Sequence, residues 1–269
     1  VVAPIERLTD YARAVRDGRP AQLPPLPGRT LHDLGAAFAE MRESLEGRQH
    51  LERTTQALAH GIKAPLAAVR GAAELLGEDL PAEDRRRFLE YLRAESGRIE
   101  QIVVRLLRLS ALEAQGTLQA RARLDLRALL EPIAEAFRVT AEAAGVELRV
   151  AAEPVAVAGD AALLQEALTN LVQNALEFTP QGGRVTLGGS VRDRAVYFTV
   201  TDTGPGVPEY ALARVFERFY SLERPGTGRK STGLGLSLVR EIAHLHGGEV
   251  VLANRPEGGT VATLTLPQG

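Results

Sequence analysis

Two asparagines near the middle of the sequence have types and spacing that suit metal and phosphate chemistry. Asn170 and Asn174 lie four residues apart in a helical pattern, which puts both amides on one face of a helix. Amide oxygens are hard, neutral ligands that suit a Mg²⁺ ion that keeps most of its waters and bridges phosphates. For the pair alone, a solvated polar helix face is the more common explanation.

The segment DTGPGVP, which begins at Asp202, directly follows a predicted strand. An acidic side chain at the end of a strand can accept a hydrogen bond from an exocyclic amine. The glycines that follow let the backbone approach a ligand closely. A tight turn explains this segment equally well when it is taken alone.

Two adjacent segments further along have features of an anion site. Gly233 and Gly235 open a predicted helix in TGLGLSLVREIAHLHGG, and backbone N–H groups at such a terminus bind phosphate. A lone Gly-x-Gly is a weak indication. The preceding segment, VFERFYSLERPGTGRKS, combines aromatic and basic side chains with a glycine-rich stretch. It suits either a lid over an anionic ligand or a solvated loop.

His60 stands in the helical stretch TQALAHGIKAPLAAVRGAAELL, followed at once by Gly61 and five residues later by Pro65. The stripe of this stretch alternates steps of four and three, which is typical of a coiled-coil or four-helix-bundle seam. Its positions are residues 51, 55, 58, 62, 65, 69, 72 and 76. His60 lies two residues from the stripe on either side, about 200° around the helix. We therefore expect it to point toward solvent, as a surface residue or as a reactive group.

A second stripe follows the turn GEDLPAEDRRR, in which Pro81 suits a helix start. This stripe comprises Phe88, Leu92, Ile99, Ile102, Leu106 and Leu109, and the helix is predicted to end near Gln115 and Gly116. Two long helices and a short loop form a helical hairpin, and its dimerisation into a four-helix bundle would cover both stripes. Packing of the two helices on the neighbouring domain is the alternative.

The character of the sequence changes after Gly116. Residues 122–160 fit strand, helix, strand, strand, and residues 161–180 fit a helix with an apolar stripe. Residues 183–204 and 247–267 fit two hairpins of period-two strands. Helices mixed with antiparallel hairpins indicate an α+β or mixed-sheet domain of roughly 150 residues.

Composition excludes several classes of function. The chain has 269 residues, a net charge of −2 and no cysteine. Nucleic acid is therefore not an expected partner, and thiolate zinc sites, disulfides and cysteine nucleophiles are excluded. The absence of cysteine also fits a reducing compartment. The sequence contains no run of eighteen apolar residues, so it predicts no membrane span. The chain starts at Val1 without an initiator methionine, and we expect a piece of a longer protein.

Taken together and in this order, the segments resemble the N, G1, F and G2 boxes of the ATP-binding domain of histidine kinases, in the GHKL (Bergerat) superfamily. LAHGIKAPLAAVRGAAELL resembles the phosphoacceptor H-box that precedes these boxes in sensor histidine kinases of two-component systems. APLAAVRGAAELL and YALARVFERFYSLERPGTGRKSTGLGL look most like CreC-type sensor kinases. The resemblance covers about residues 50 to 266.

The resemblance implies three domains. Residues 1–48 look like a HAMP signalling linker, residues 49–118 like the dimerisation and phosphotransfer hairpin, and residues 119–269 like the catalytic ATP-binding domain, a mixed α/β sandwich. HAMP linkers normally follow a transmembrane helix. The chain therefore resembles the cytoplasmic portion of an inner-membrane sensor, anchored upstream of residue 1, that works as a homodimer.

The resemblance also implies a protein-histidine kinase reaction. His60 would attack the γ-phosphorus of ATP, and its phosphoryl group would pass to an aspartate on a response regulator receiver domain. Asn174 would hold Mg²⁺ with Asn170 beside it, and Asp202 would bind the adenine amino group. Arg218 and Lys230 would be lid cations, whereas Phe216 and Phe219 would be lid packing. The implied nucleotide-binding set is Asn170, Asn174, Asp202, Gly204, Gly206, Arg218, Lys230, Gly233, Leu234, Gly235 and Leu236.

Several positions depart from the family pattern. Gly61 stands where an acidic general base is usual, which argues against robust autophosphorylation. Ala64 stands where Thr or Asn is common, which predicts weak phosphatase activity. Glu177 and Ser221 replace a common Lys and Arg, so weaker ATP binding is expected. Gly61 favours an alternative, a degenerate nucleotide-binding scaffold with weak kinase activity. A GHKL ATPase that uses water is disfavoured by Asn170, where such enzymes carry a glutamate.

Overall fold

The computed structural model describes Tyr11 and residues 55–56, 58–59, 61–77, 80–118, 121–153, 155–224 and 231–268. The chain divides into two compact units, residues 1–60 and 61–269. Apart from Tyr11, the predicted HAMP-like segment lies outside the described residues, as do His60 and Lys230. The architecture below is that of the second unit.

Two helices open this unit. Helix α1 covers the described residues 61–76, and helix α2 spans Ala82–Gln115. Pro81 occupies the N-cap position of α2, one residue before the helix, and Glu83 and Asp84 in the first turn complement the helix dipole. The helix ends before Gly116, which has a φ of 63°. The predicted helical hairpin and its end at Gln115–Gly116 are thus confirmed.

The predicted stripe of α2 is buried only in its second half. Its buried side chains are Ile102, Leu106, Leu109 and Leu112. Leu109 and Leu112 belong to the hydrophobic core of the following domain, and α2 contacts the last long helix of that domain. The alternative predicted for the hairpin, packing on the neighbouring domain, therefore holds for the last turns of α2. Large apolar side chains elsewhere on the hairpin are exposed, among them Leu66, Val104 and Leu107.

The domain after the hairpin alternates strands and helices as predicted. Its elements are β1 (Ala122–Asp125), α3 (Leu126–Ala144), β2 (Glu147–Ala152), β3 (Ala156–Gly159), α4 (Ala161–Phe178), β4 (Arg184–Arg192), β5 (Ala195–Asp202), α5 (Glu209–Leu212), α6 (Gly235–Leu245), β6 (Glu249–Asn254) and β7 (Thr260–Pro267). An aspartate occupies the N-cap position of α3 and another that of α4. Asp125 accepts a hydrogen bond from Ala128 N, and Asp160 accepts from Ala162 N and Leu163 N.

The main sheet has five strands in the order β2-β4-β5-β7-β6, and β1 and β3 form a separate antiparallel pair. Strands β2 and β4 are parallel, whereas the other neighbours are antiparallel, so the sheet is mixed. Alternate residues of β5 are buried, including Val196, Phe198 and Val200, because one face of the sheet packs on α4 and α6. The predicted α+β class with a mixed sandwich is confirmed.

Candidate active site

An open pocket lies where α4, the ends of β5 and β7, and the loops before α6 meet. Aliphatic side chains form much of its wall, and polar groups come from a few separate segments. The lining residues used below are Leu171, Asn174, Ala175, Phe178, Asp202, Gly206, Gly233, Gly235, Leu236 and Thr260. The pocket therefore has the mainly apolar wall and sparse polar groups that are typical of small-molecule sites.

Helix α4 contributes one continuous face to the pocket. Leu171, Asn174, Ala175 and Phe178 line it at helical spacings of three, one and three residues. Asn170 and Asn174 were predicted to share one helix face, but only Asn174 lines the pocket. The Asn174 side-chain amide makes no hydrogen bond with another residue that the structure describes.

Asp202 ends β5 at the pocket, and it is 4% exposed. Its Oδ1 accepts hydrogen bonds from Gly204 N at 2.7 Å and from Thr260 N at 3.2 Å. The Thr260 hydroxyl donates to Oδ2. The carboxylate is therefore held in one orientation by two segments, of which only the first was identified from sequence.

The glycines after Asp202 lie where the backbone is tightly packed or has a positive φ. A Cβ atom at Gly204 would lie 2.7 Å from the carbonyl oxygen of Phe178, and Gly206 has a φ of 80°. Asn254 fixes the end of this loop, since its Oδ1 accepts from Val207 N and its Nδ2 donates to Val207 O, both at 2.7 Å. Gly206 lines the pocket, whereas Gly204 is absent from the lining and packs against Phe178.

The glycines before α6 form the other end of the pocket. Helix α6 starts at Gly235, and Leu234 occupies its N-cap position. The Leu234 side chain is buried, whereas Leu236 lines the pocket. A Cβ atom at Gly235 would lie 3.0 Å from Asn170 Oδ1, so this glycine keeps α6 close to α4. Asn170 Nδ2 donates to Glu166 O at 2.8 Å.

The two ends of the pocket are separated along α4. Gly204 packs against Phe178 at the C-terminal end of the helix, whereas Gly235 packs against Asn170, eight residues earlier. At 1.5 Å per residue, this spacing corresponds to about 12 Å. An elongated ligand can thus contact the carboxylate of Asp202 at one end and the α6 N-terminus at the other.

Helix α2 places a cation that the sequence did not predict, Arg105, beside the loop before α6, although Arg105 does not itself line the pocket. Arg105 Nη1 donates to Thr232 Oγ1 at 3.1 Å and would lie 3.9 Å from a Cβ atom on Gly235. No carboxylate among the described residues lies within ion-pair distance of this guanidinium. Arg105 is 127 residues from Thr232 in sequence, so no local pattern signals the contact.

Arg218, predicted as a lid cation, does not line the pocket. Its guanidinium forms an ion pair with Glu113 of α2, and both side chains are largely buried. Glu177 pairs with Arg224 at 2.7 Å rather than facing the pocket, whereas Ser221 lines the pocket and contacts Ser231 Oγ at 2.8 Å.

A buried histidine supports the helix that carries the asparagines. His246 Nε2 accepts from Asp160 N at 3.1 Å, and its Nδ1 donates to Ile242 O at 2.7 Å. Burial lowers the pKa of His246, while the hydrogen bond to Ile242 and the charge of Asp160 act in the opposite direction. The neutral ring therefore ties the start of α4 to the end of α6.

Comparison with known proteins matches both predicted regions. Residues 50–115 fit the family model of the His Kinase A (phospho-acceptor) domain, and residues 159–269 fit that of the histidine kinase-, DNA gyrase B-, and HSP90-like ATPase. The sensor protein CreC of Escherichia coli is 44% identical over 262 residues, which is 97% of this chain and 55% of the relative. The chain belongs to the sensor histidine kinase family.

Solved structures share the fold of this chain. Full-length ShkA in complex with AMPPNP is 30% identical, with a TM-score of 0.59 over 80% of this chain and 45% of that chain. ThkA in complex with the response regulator protein TrrA is 24% identical, with a TM-score of 0.69 over 87% of this chain and 66% of that chain.

The chain spans little more than half the length of the first curated relatives, 55% of CreC and 58% of BaeS from the same organism. Among the described residues, none of the helices has the length and apolar character needed to cross a membrane. None of the described acidic or histidine side chains form a cluster that could hold a metal ion by themselves.

Proposed function

We propose that this protein transfers the γ-phosphoryl group of ATP to His60 and then to an aspartate of a response regulator. The observation that carries the proposal is the pocket beside α4, with the Asp202 carboxylate at one end and the glycine-lined start of α6 at the other. Its length and its polar ends match a nucleoside triphosphate. AMPPNP in the complex of ShkA, which is 30% identical, supports the same ligand class.

The adenine moiety would bind at the Asp202 end. A carboxylate that already accepts from Thr260 and Gly204 retains further lone pairs for the exocyclic amine of adenine. Aliphatic residues from α4 and β5, including Ala175 and Val200, would cover the ring faces. Because the carboxylate is held in one orientation, little ordering is needed when the base binds.

The phosphates would lie toward Gly233 and Gly235, where backbone N–H groups precede and open α6. Asn174 would hold the Mg²⁺ ion, and Asn170 would lie one turn away. The donor set fits this ion, since one uncommitted amide oxygen together with phosphates and waters suits Mg²⁺ better than a dedicated protein cage. Bound Mg²⁺ would offset charge on the phosphates during transfer.

In the first step of this reaction, the imidazole of His60 replaces ADP on the γ-phosphorus. The Nε2 lone pair of the neutral imidazole forms the N–P bond, the bond from the γ-phosphorus to the bridging oxygen breaks, and ADP leaves. The Nδ1 proton passes to water, because Gly61 has no side chain to accept it. Attack on the phosphohistidine by a receiver aspartate then restores the imidazole.

The protein would work as a homodimer in the cytoplasm. Leu66, Val104 and Leu107 of the hairpin are 56%, 59% and 66% exposed, and a second copy of the hairpin would cover such side chains in a four-helix bundle. Membership in the sensor kinase family supports a cytoplasmic position in an inner-membrane sensor, where ATP and response regulators are available.

The test is incubation with γ-labelled ATP and Mg²⁺. The wild type should acquire acid-labile, alkali-stable label that is absent in His60→Ala. His244→Ala, which changes an exposed histidine on α6, is the matched control and should label normally. Asn174→Ala should lose labelling while its circular dichroism spectrum stays unchanged.

The outcomes separate the alternatives. Nucleotide binding without label in the wild type would refute the kinase proposal and leave the degenerate scaffold. Steady phosphate release without a phosphoprotein would instead indicate an ATPase that uses water. Label that survives in His60→Ala would assign a different acceptor.

A further inference from the structure

Gly61, which departs from the sensor kinase pattern, lies directly against the ring of Phe219. A Cβ atom added to Gly61 would overlap ring carbons Cδ1 and Cε1 of Phe219. Any side chain at position 61 would therefore compete with the ring for the same space, including the acidic residue that the family usually has there.

The backbone of Phe219 is held at the glycines of the pocket. Phe219 has a φ of 62°, in the left-handed region that residues other than glycine rarely adopt. Its backbone N–H donates to Gly233 O at 2.8 Å. A Cβ atom on Gly233 would lie 2.6 Å from Phe219 Cα and 2.8 Å from Tyr220 N. The backbone thus sits tightly on Gly233, which limits how far the ring can retreat from Gly61.

We propose that Phe219 is a positioning residue, and that residue 61 is a glycine because the ring docks there. The contact holds the Gly233 segment of the pocket against α1, whose first residue, Gly61, follows the acceptor position in sequence. This inference rests on the proposed function, since its consequence is the rate at which phosphoryl transfer occurs.

Two flanking contacts tie the same loop to the other helix of the hairpin. Arg218, the residue before Phe219, pairs with Glu113 of α2, and Thr232, the residue before Gly233, accepts from Arg105 of α2. The ring of Phe219 lies against Gly61 of α1. The loop therefore meets both helices of the hairpin, and removal of the ring removes this contact with α1.

A simpler explanation is that Gly61 only lowers the stability of α1, and it predicts that Gly61→Ala would stabilise the protein. In an open helical position, Gly→Ala stabilises the folded state. Gly71 is such a position, because it lies in the same helix and a Cβ atom there would meet nothing within 4 Å. Gly71→Ala is therefore the matched control for Gly61→Ala.

The experiment measures kcat and KM for ATP in autophosphorylation, together with Tm. Gly71→Ala should raise Tm and leave kcat unchanged. Gly61→Ala and Phe219→Ala should each lower kcat by about tenfold with little change in KM, because misplaced reactants lose rate rather than affinity. Phe219→Leu should recover most of the lost rate. Unchanged kcat in both Gly61→Ala and Phe219→Ala overturns the inference.

A second measurement does not depend on catalysis. Hydrogen exchange of the amides in residues 61–69 should be faster in Phe219→Ala than in the wild type, and equal exchange overturns the docking contact. Gly61→Glu should also speed exchange, and Phe219→Ala in the same chain should suppress part of that effect by vacating the space. If the wild type takes no label, the proposed function fails, while the exchange rates still decide the docking contact.

Discussion

Thr260 donates both its backbone N–H and its hydroxyl to the carboxylate of Asp202. Thr260 begins β7, and Asp202 ends β5, so the neighbouring strands of the sheet bring the pair together. The hydroxyl fixes the carboxylate oxygen that does not accept from the backbone. This contact makes the orientation of the proposed adenine acceptor a property of the sheet.

Thr260→Val should weaken ATP binding by about five- to tenfold, since a hydrogen bond to a charged group contributes on the order of 1.5–3 kcal/mol and part of it is recovered by water. Thr260→Ser should bind normally because it keeps the hydroxyl. The measurement is the Kd of ATP by calorimetry. Thr263→Val, on the opposite face of the same strand, is the control, and equal affinity in Thr260→Val would contradict the role.

Arg105 predicts a selective effect on phosphate binding. Its guanidinium lies beside Thr232 and Gly235, so Arg105→Gln should weaken ATP by about tenfold and leave adenosine binding unchanged, as expected for loss of a charge-assisted contact. Arg93→Gln, an exposed change on the same helix, should bind both ligands normally. Equal losses for ATP and adenosine would show that Arg105 supports the fold instead.

Local patterns predicted the parts of the site that a single segment supplies. Helical spacing put Asn170 and Asn174 on one face, and a glycine-rich turn after a period-two strand marked Asp202. The hairpin followed from its stripe and from Pro81. These features depend on residues within about ten positions of each other, which is the range over which periodicity carries information.

Contacts between distant segments were not predictable in this way. Thr260 is 58 residues from Asp202, and Arg105 is 127 residues from Thr232. The family resemblance implied that Arg218 is a lid cation, yet it pairs with Glu113, 105 residues away on α2. The sequence shows that such charges exist, but the packing of the hairpin on the ATP-binding domain decides which partner each one meets.

The Arg108–Glu166 pair joins α2 to α4 and should contribute to stability. Three hydrogen bonds, the shortest 2.8 Å, connect the side chains, which are 44% and 27% exposed. Single alanine variants should lower Tm, and a double-mutant cycle should give a coupling of about 0.5–1 kcal/mol that falls with salt.

Two further variants sharpen this prediction. Exchange of the charges, Arg108→Glu with Glu166→Arg, should restore part of the Tm lost in either single reversal. The control pair, Arg70 and Glu74, lies four residues apart within α1 and is 82% and 65% exposed, so its reversal should leave Tm unchanged. Additive losses at Arg108 and Glu166 would mean that the pair does not couple the two helices.

His246 predicts a loss of stability in mild acid. Burial lowers its pKa in the folded state, so between that pKa and the ordinary value of 6.5 the unfolded chain binds more protons than the folded one. Stability is therefore fully present above about pH 6.5 and declines as the pH falls toward the folded pKa. Glu147, whose pKa the guanidinium groups of Arg184 and Arg149 lower from 4.5, acts only in stronger acid.

The measurement is Tm between pH 7.5 and 5.5. Wild type should lose stability over this range, and His246→Gln should lose less, because the amide can accept from Asp160 N and donate to Ile242 O without titrating. His244→Gln changes an exposed histidine two residues earlier, in the last turn of α6, and should keep the slope of the wild type. A His246→Gln profile parallel to that of the wild type would assign the pH dependence to another group.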